Sequence, residues 1–244
     1  MNKLLNIFWA FLLIIQVSNI SAQTEVKFKA SDGLEVTANM YIMDSTYSFI
    51  LLFHQAGYSK GEYIYTAKKL LKLKYNVLAV DLRSGGTVNY IPNQTALEAK
   101  RKGFKHSYLD AWKDIKAAID YAYNFNHKKV ILFGSSYSAS LCLMEAVNND
   151  KVKAVVAFSP GEYFEPKYEV AEYIKNLNKK VFVGASQQEE KYVKILMANV
   201  NEKYKTVFIP KEGPGKHGSK ALWKDCPENK EYWLNLFLFF KQVQ

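Results

Sequence analysis

The residues Gly134-Ser135-Ser136-Tyr137-Ser138 set a serine between small neighbours. Four apolar residues, Val130 to Phe133, precede them and read as a buried strand. A helix-like segment follows through Leu141, Leu143 and Ala146. Strand, sharp turn and helix with a serine at the apex is the arrangement that presents a nucleophile above a sheet. Small residues are needed two before and two after that serine, because the strand and helix backbones nearly touch there. The last small position carries Ser138 in place of glycine, so a serine-rich loop without chemistry stays open on this fragment alone.

A serine hydroxyl is a poor nucleophile until a base takes its proton. The chain has four histidines. His54 ends an apolar run and is expected to brace the turn after it. His106 is expected in a surface loop, and His127 is expected to face solvent. His217 lies in the glycine-rich run Glu212-Gly213-Pro214-Gly215-Lys216-His217-Gly218, which could drape an imidazole over a neighbouring site. It is the expected base. The base needs an orienting carboxylate. Glu189 and Glu190 follow the strand-like run Val181 to Ala185, and Glu189 is preferred, with Glu190 left open. Two solvated glutamates at a helix start, favoured there by the dipole, are the alternative. Glu162 is the next candidate. The oxyanion of an acyl transfer needs two preset N–H donors. Tyr137, after the serine, and Ala56, after the run Leu51 to Phe53, are expected to supply them, with Gly57 leaving room for the acyl group.

Elements must carry these groups to one place. Glu25–Ala30 and Leu34–Met43 read as strands joined by Ser31-Asp32-Gly33, a tight hairpin signal. Tyr47–Phe53, Asn76–Val80, Val152–Phe158, Val181–Ala185 and Thr206–Ile209 read as further strands. Helical spacing appears at Ile64, Ala67 and Leu71, and at Ala111, Ile115, Ala118, Ile119 and Ala122 behind a Ser107-x-x-Asp110 capping box. A short helix is expected over Val170–Leu177. Val193, Met197, Val200 and Tyr204 mark another face, and Trp233, Leu236, Phe237 and Phe240 a closing one. Alternation from residue 47 onward predicts a single α/β domain with a mostly parallel, doubly wound sheet and an antiparallel N-terminal hairpin at one edge. Such sheets place sites beyond the C-terminal ends of their strands. Ser136, Ala56, Asp81, Glu189 and Lys216-His217-Gly218 all fall there. The segment 87–103 lacks a strong period and is expected as a cap or loop.

The combination His54-Gln55-Ala56-Gly57, Asp81-Leu82-Arg83-Ser84-Gly85-Gly86, Gly134-Ser135-Ser136-Tyr137-Ser138 and Lys216-His217-Gly218 resembles the α/β-hydrolase superfamily. Within it, the chain looks most like the compact dienelactone hydrolase-like group, over roughly residues 25–242. The resemblance implies a nucleophile at Ser136, an acid near Glu189, a base at His217 and oxyanion donors at Ala56 and Tyr137, in the chain order serine, acid, histidine. It implies a serine hydrolase acting on a small-molecule carboxylic ester, with no metal or organic cofactor; a secreted serine peptidase of the same fold and a non-catalytic hydrolase-like binding protein are the alternatives. Two departures matter. Dienelactone hydrolases proper carry a cysteine nucleophile where this chain has Ser136. The acid loop carries glutamates where aspartate is usual.

The chain has 244 residues, 49% hydrophobic and 15% aromatic, enough for one sizeable core and too apolar for a disordered chain. Lys3 followed by the apolar run Leu4 to Val17 and the small-residue exit Ser18 to Ala22 reads as a signal peptide over 1–22. The apolar run is shorter than the ~20 residues a membrane span needs. A periplasmic or secreted mature chain over 23–244 is expected, without stable membrane insertion. Its formal charge falls from +10 to +9 with Lys3 removed. The lysines are spread along the chain, so the surplus favours solubility and weak anion attraction rather than nucleic-acid binding. Cys142 and Cys226 form no metal motif. A bridge between them would be permitted outside the cell, yet Cys142 sits in the apolar run after the serine turn, where a buried hydrophobe is expected. The oligomeric state is left open.

Overall fold

The computed structural model describes residues 23–243, and the expected signal peptide lies outside them. In chain order the strands and helices are β1 (Gln23–Lys29), β2 (Glu35–Tyr41), β3 (Phe49–Phe53), α1 (Ile64–Leu71), β4 (Asn76–Val80), β5 (Thr87–Val88), β6 (Ile91–Pro92), α2 (Gln94–Lys102), α3 (Trp112–Asn126), β7 (Val130–Ser135), α4 (Tyr137–Val147), β8 (Val152–Phe158), α5 (Val170–Tyr173), β9 (Lys180–Gly184), α6 (Glu190–Leu196), β10 (Lys205–Phe208) and α7 (Asn229–Val243). Eight strands form one sheet in the order β1-β2-β4-β3-β7-β8-β9-β10. The six from β4 to β10 in that order pair parallel, and β1 and β2 add an antiparallel edge. This is the expected doubly wound α/β sheet.

Strands covered on both faces must be apolar throughout. β3 meets that demand throughout, and β4 does so after Asn76, whose buried amide bonds Met43 N and the carbonyls of Asp44 and Tyr47. Their side chains alternate between two cores. Leu51, Phe53, Leu132 and Val155 face Ile115 and Ile119 of α3 and Leu141 of α4. Ile50, Leu52, Ile131 and Phe133 face Leu70 of α1 and Leu236 and Phe240 of α7. Fully burying each such side chain stabilises the fold by roughly 1.5–3 kcal/mol. The chain order places β4 on one side of β3 and β7 on the other. The crevice at that switch point is where the sheet can seat a ligand.

Several expectations need adjustment. α6 stops at Leu196, so Met197 and Val200 fill the core from the turns beyond it and Tyr204 precedes β10. On α7 the buried stripe is Tyr232, Leu236, Phe239, Phe240 and Val243. Phe237 falls off that stripe, exposed beneath Lys241, whose Nζ lies 4.8 Å from its ring centroid. The segment 87–103 contains a two-residue hairpin and then α2, whose N-cap Asn93 accepts from Ala96 N. α2 buries Thr95, Ala96 and Ala99, and Thr95 Oγ1 accepts from Thr37 N of β2 at 2.9 Å.

Asp81, at a strand end, and Arg83 after it are engaged in buried ion pairs. Asp81 is buried, bonded to Lys60 Nζ at 2.7 Å and to Lys60 N and Gln94 N. Arg83 is fully buried between Asp114 of α3 and Asp32 of the leading hairpin, at 2.7 and 2.6 Å. A buried guanidinium needs such partners to offset its desolvation. Asp32 is held below the usual carboxylate range mainly by the Arg83 guanidinium, with Lys113 adding to it. Cys142 and Cys226 are both free and buried, and Cys226 Sγ donates to Glu228 Oε2 at 3.2 Å.

Candidate active site

The turn from β7 into α4 is built around Ser136, whose backbone has φ 59° and ψ −125°. A side chain with positive φ is strained, by ~1–3 kcal/mol, and persists only where surroundings enforce it. Three contacts enforce it here. Ser136 N donates to Phe158 O of β8 at 2.8 Å. Gly134 lies so close to α4 that an added Cβ would stand 2.5 Å from Ala139 Cα, so only glycine fits. Ser138, the departure from the usual glycine, accepts from Ser135 N at 2.9 Å and donates to Phe53 O of β3 at 2.8 Å. Its hydroxyl therefore ties the apex to the adjacent strand.

The groups that aim at Ser136 come from neighbouring strand ends. Ala56 N and Tyr137 N form no hydrogen bond to another described residue. Both are available to an external acceptor. Tyr137 N opens α4, where the helix dipole adds positive potential. The Tyr137 side chain is held away, its hydroxyl 2.6 Å from Ser84 Oγ and its ring stacked 4.4 Å from Tyr108. No atom lies within 4 Å of where a Cβ on Gly57 would be, so the space beside the Ala56 loop is open.

The candidate acid and base meet. His217 Nδ1 lies 2.5 Å from Glu189 Oε1. Glu189 Oε2 accepts from Ser186 N at 2.9 Å and from the hydroxyls of Ser186 and Ser159, each at 2.8 Å. Burial works to raise this carboxyl. The bonds from His217, Ser186 and Ser159 outweigh it and hold the group down to about 2. Glu189 is thus an anion that fixes Nδ1 as the protonated nitrogen and leaves Nε2 free to accept a proton. Glu190 points elsewhere, paired with Lys194 at 2.6 Å. Glu162 caps α5, its carboxylate accepting from Val170 N and Ala171 N.

The loop after His217 is anchored against the serine turn. Gly218 N donates to Ser159 Oγ at 2.8 Å, and Ser219 N donates to Ser135 Oγ at 2.9 Å. Ser136 Oγ itself donates to Tyr163 Oη at 3.2 Å, and it makes no hydrogen bond to His217. Nucleophile–base bonds are commonly loose before substrate arrives. The remaining histidines lie outside the site. His54 is buried, with Leu82 N and Asn93 Nδ2 on its Nε2 and Gln55 O at its Nδ1, so it braces the turn as expected. His106 and His127 are exposed. Among the described residues no cluster of three or more His, Cys, Asp or Glu side chains could hold a metal ion.

Sequence reasoning missed Ser159 and Tyr163. Ser159 directly follows β8, so its strand-end position was a usable signal. Tyr163 carried none, because its approach to Ser136 depends on the path of the 159–164 loop.

A parallel sheet with a strained serine at this turn, an acid after β9 and a histidine after β10 decides the architecture. The chain has the α/β-hydrolase fold. It superposes on an esterase of Pyrococcus furiosus with a TM-score of 0.67 at 15% identity, over 91% of each chain. A dienelactone hydrolase from Anabaena variabilis matches with a TM-score of 0.68 at 16% identity, over 91% of this chain and 98% of that one. An acylaminoacyl peptidase of Pyrococcus horikoshii matches with a TM-score of 0.62 at 16% identity, this chain covering 42% of its length. No family model and no curated protein matches the sequence.

Proposed function

We propose that the chain is a serine hydrolase that cleaves a carboxylic ester through an acyl-enzyme on Ser136. The observation that carries this reading is the Glu189–His217 contact of 2.5 Å on a loop bonded to the residue before Ser136. Ser136 Oγ leaves Tyr163 Oη and attacks the ester carbonyl carbon, passing its proton to His217 Nε2. The negative charge moves to the carbonyl oxygen, where Ala56 N–H and Tyr137 N–H stabilise it. Collapse expels the alcohol, which takes the proton from Nε2. Water then attacks the acyl-enzyme carbonyl as His217 takes its proton, and collapse releases the acid while His217 returns that proton to Ser136 Oγ. Glu189 stays ionised throughout and supports the imidazolium. The esterase and dienelactone hydrolase likenesses agree with this chemistry at the level of fold.

The reading predicts that a fluorophosphonate probe labels the wild type and that Ser136→Ala abolishes both labelling and 4-nitrophenyl ester hydrolysis while the protein stays folded. An unlabelled wild type would mark a hydrolase-like binding protein instead. Hydrolysis of a peptide anilide in preference to the ester would move the substrate class to peptides. Export over the 1–22 segment belongs to the same proposal. Expressed in a Gram-negative host, the protein should be periplasmic with a mature N-terminus near Gln23, and an intact Met1 in the membrane fraction would overturn this.

A further inference from the structure

Beneath the site lies a carboxyl group that the acyl-transfer steps do not use. Glu62 sits in the 3-10 turn Lys60–Tyr63 that leads into α1, and it is 2% exposed. Its two oxygens serve two different loops. Oε2 accepts from Gln55 N at 2.8 Å, one residue before Ala56. Oε1 is 2.5 Å from Ser219 Oγ, two residues after His217. The Glu62 carbonyl accepts from Trp223 Nε1 at 3.1 Å, a second hold on the histidine loop. Ser219 N closes the set on Ser135 Oγ, one residue before Ser136. One buried side chain thus joins the two segments that carry an oxyanion donor and the base, and Ser219 N links them to the segment of the nucleophile.

We propose that Glu62 is a positioning residue that sets the distance between the Ala56 N–H donor and the His217 imidazole. This rests on the ester-hydrolase reading above. The histidine loop is also tied to the serine turn and to Ser159, and the Glu62 carboxyl adds the hydrogen-bonded link from it to Gln55 N. Gln55 O is held by His54 Nδ1 and Tyr58 N, Gln55 Oε1 is buried without a hydrogen-bond partner, and the Glu62 carboxyl is the acceptor for Gln55 N. The 54–57 and 217–223 segments follow different strands, β3 and β10, and approach each other across the Glu62 carboxyl and at Gly218, where an added Cβ would stand 2.5 Å from Gln55 Oε1, with Tyr58 stacked on Trp223 alongside. Truncating Glu62 leaves the Gln55 N–H and the Ser219 hydroxyl without this acceptor, and both must move to find another. A displacement of about 1 Å at reacting groups costs on the order of 10²-fold in rate. A neutral amide preserves the arrangement. In Glu62→Gln the carboxamide oxygen accepts from Gln55 N and the amide nitrogen donates to Ser219 Oγ.

The test compares wild type, Glu62→Ala, Glu62→Gln and Ser219→Ala, at a temperature where circular dichroism shows each folded. Two rates are read, steady-state hydrolysis of 4-nitrophenyl acetate and covalent labelling by a fluorophosphonate. Glu62→Ala should lower kcat on the order of 10²-fold with KM little changed, and slow labelling in parallel. Glu62→Gln should restore kcat to within a few-fold of wild type. Ser219→Ala, which removes one bond, should fall between them and serves if Glu62→Ala does not fold. Wild-type labelling and kcat in Glu62→Ala, or a loss in KM alone, would overturn the positioning role. So would a Glu62→Gln as slow as the alanine variant. A wild type that fails to label would instead overturn the ester-hydrolase reading on which the proposal stands.

Discussion

Two glutamates flank the histidine loop, and the protein drives them in opposite directions. Burial raises Glu189, yet four hydrogen bonds, from His217, Ser186 and Ser159, bring it down to about 2. Burial also raises Glu62, and there the bonds from Ser219 and Gln55 are too few to compensate, so it stands at about 7. The residue type is the same and the chain separation from His217 says nothing about the outcome. What differs is the number and charge of the donors. A carboxylate beside an imidazole and three neutral donors stays ionised, whereas one walled in by backbone, hydroxyl and apolar groups prefers its proton. The first environment suits a group that must carry charge next to a forming imidazolium. The second suits a group whose work is to hold two loops.

The comparison breaks most visibly at Glu189. Glu189→Gln should cut kcat by up to ~10⁴-fold, since the amide can neither supply the charge nor enforce the Nδ1–H tautomer. Steady-state kinetics at fixed pH measures this, and a loss under tenfold would move the acid to another residue. Next is Gly218, where the histidine loop passes close to Gln55 and Ser135. It has φ +70°, and an added Cβ would stand 2.5 Å from Gln55 Oε1 and 2.6 Å from Ser135 Oγ. Gly218→Ala should lower kcat about 10²-fold and depress Tm, with an unchanged kcat counting against the proposed coupling of these loops.

A third prediction uses pH. Glu62 has a folded value above its ordinary 4.5, so between pH 4.5 and 7 the unfolded chain is ionised while the folded one keeps its proton. Its contribution to stability therefore falls as pH rises through that window. Glu62→Gln should match wild type near pH 4.5 and exceed it above pH 7, by up to about 3 kcal/mol. Glu189 gives the reverse slope. Its stabilisation is present above 4.5 and is lost as pH falls toward about 2. Thermal unfolding of the wild type and both glutamine variants across pH 3–9 reads the two slopes separately, and parallel curves would erase the contrast. The smallest effect belongs to Glu190→Gln. Its partner is the exposed Lys194, so activity should stay within about twofold and stability within ~0.5 kcal/mol.

The centre of the sheet was legible because strands such as β3 and β8 are apolar runs with abrupt ends, and β4 and β8 match the sequence bounds to the residue. The serine turn was legible because Gly134 and its small neighbours are demanded by backbone contact, which leaves a mark in residue type. The preference for Glu189 over Glu190 rested on weaker ground, since adjacent residues differ only in the direction their side chains leave the turn. Ser186, the N-cap whose backbone and side chain both bond Glu189, is what fixes that direction. Glu62 was invisible for a different reason. An acidic residue before an amphipathic helix normally caps or faces water, and nothing local announces that this one is covered by Ser219 and Trp223 from more than 150 positions away. Arg83 and Asp81 erred the other way. They sit at a strand end, where sites occur, and spend their charges on Asp32, Asp114 and Lys60.

The bent backbone at Ser136 has a consequence for how the molecule comes apart. Its conformation is sustained from outside the 130–147 segment, by Phe158 O on one neighbouring strand and Phe53 O on the other. An isolated peptide or a loosened intermediate that keeps α4 helical has no means of sustaining it. Reactivity toward a phosphonate is consequently a probe of cooperative assembly of the sheet centre. Along a denaturant titration it should vanish with tertiary structure, ahead of any residual helix signal.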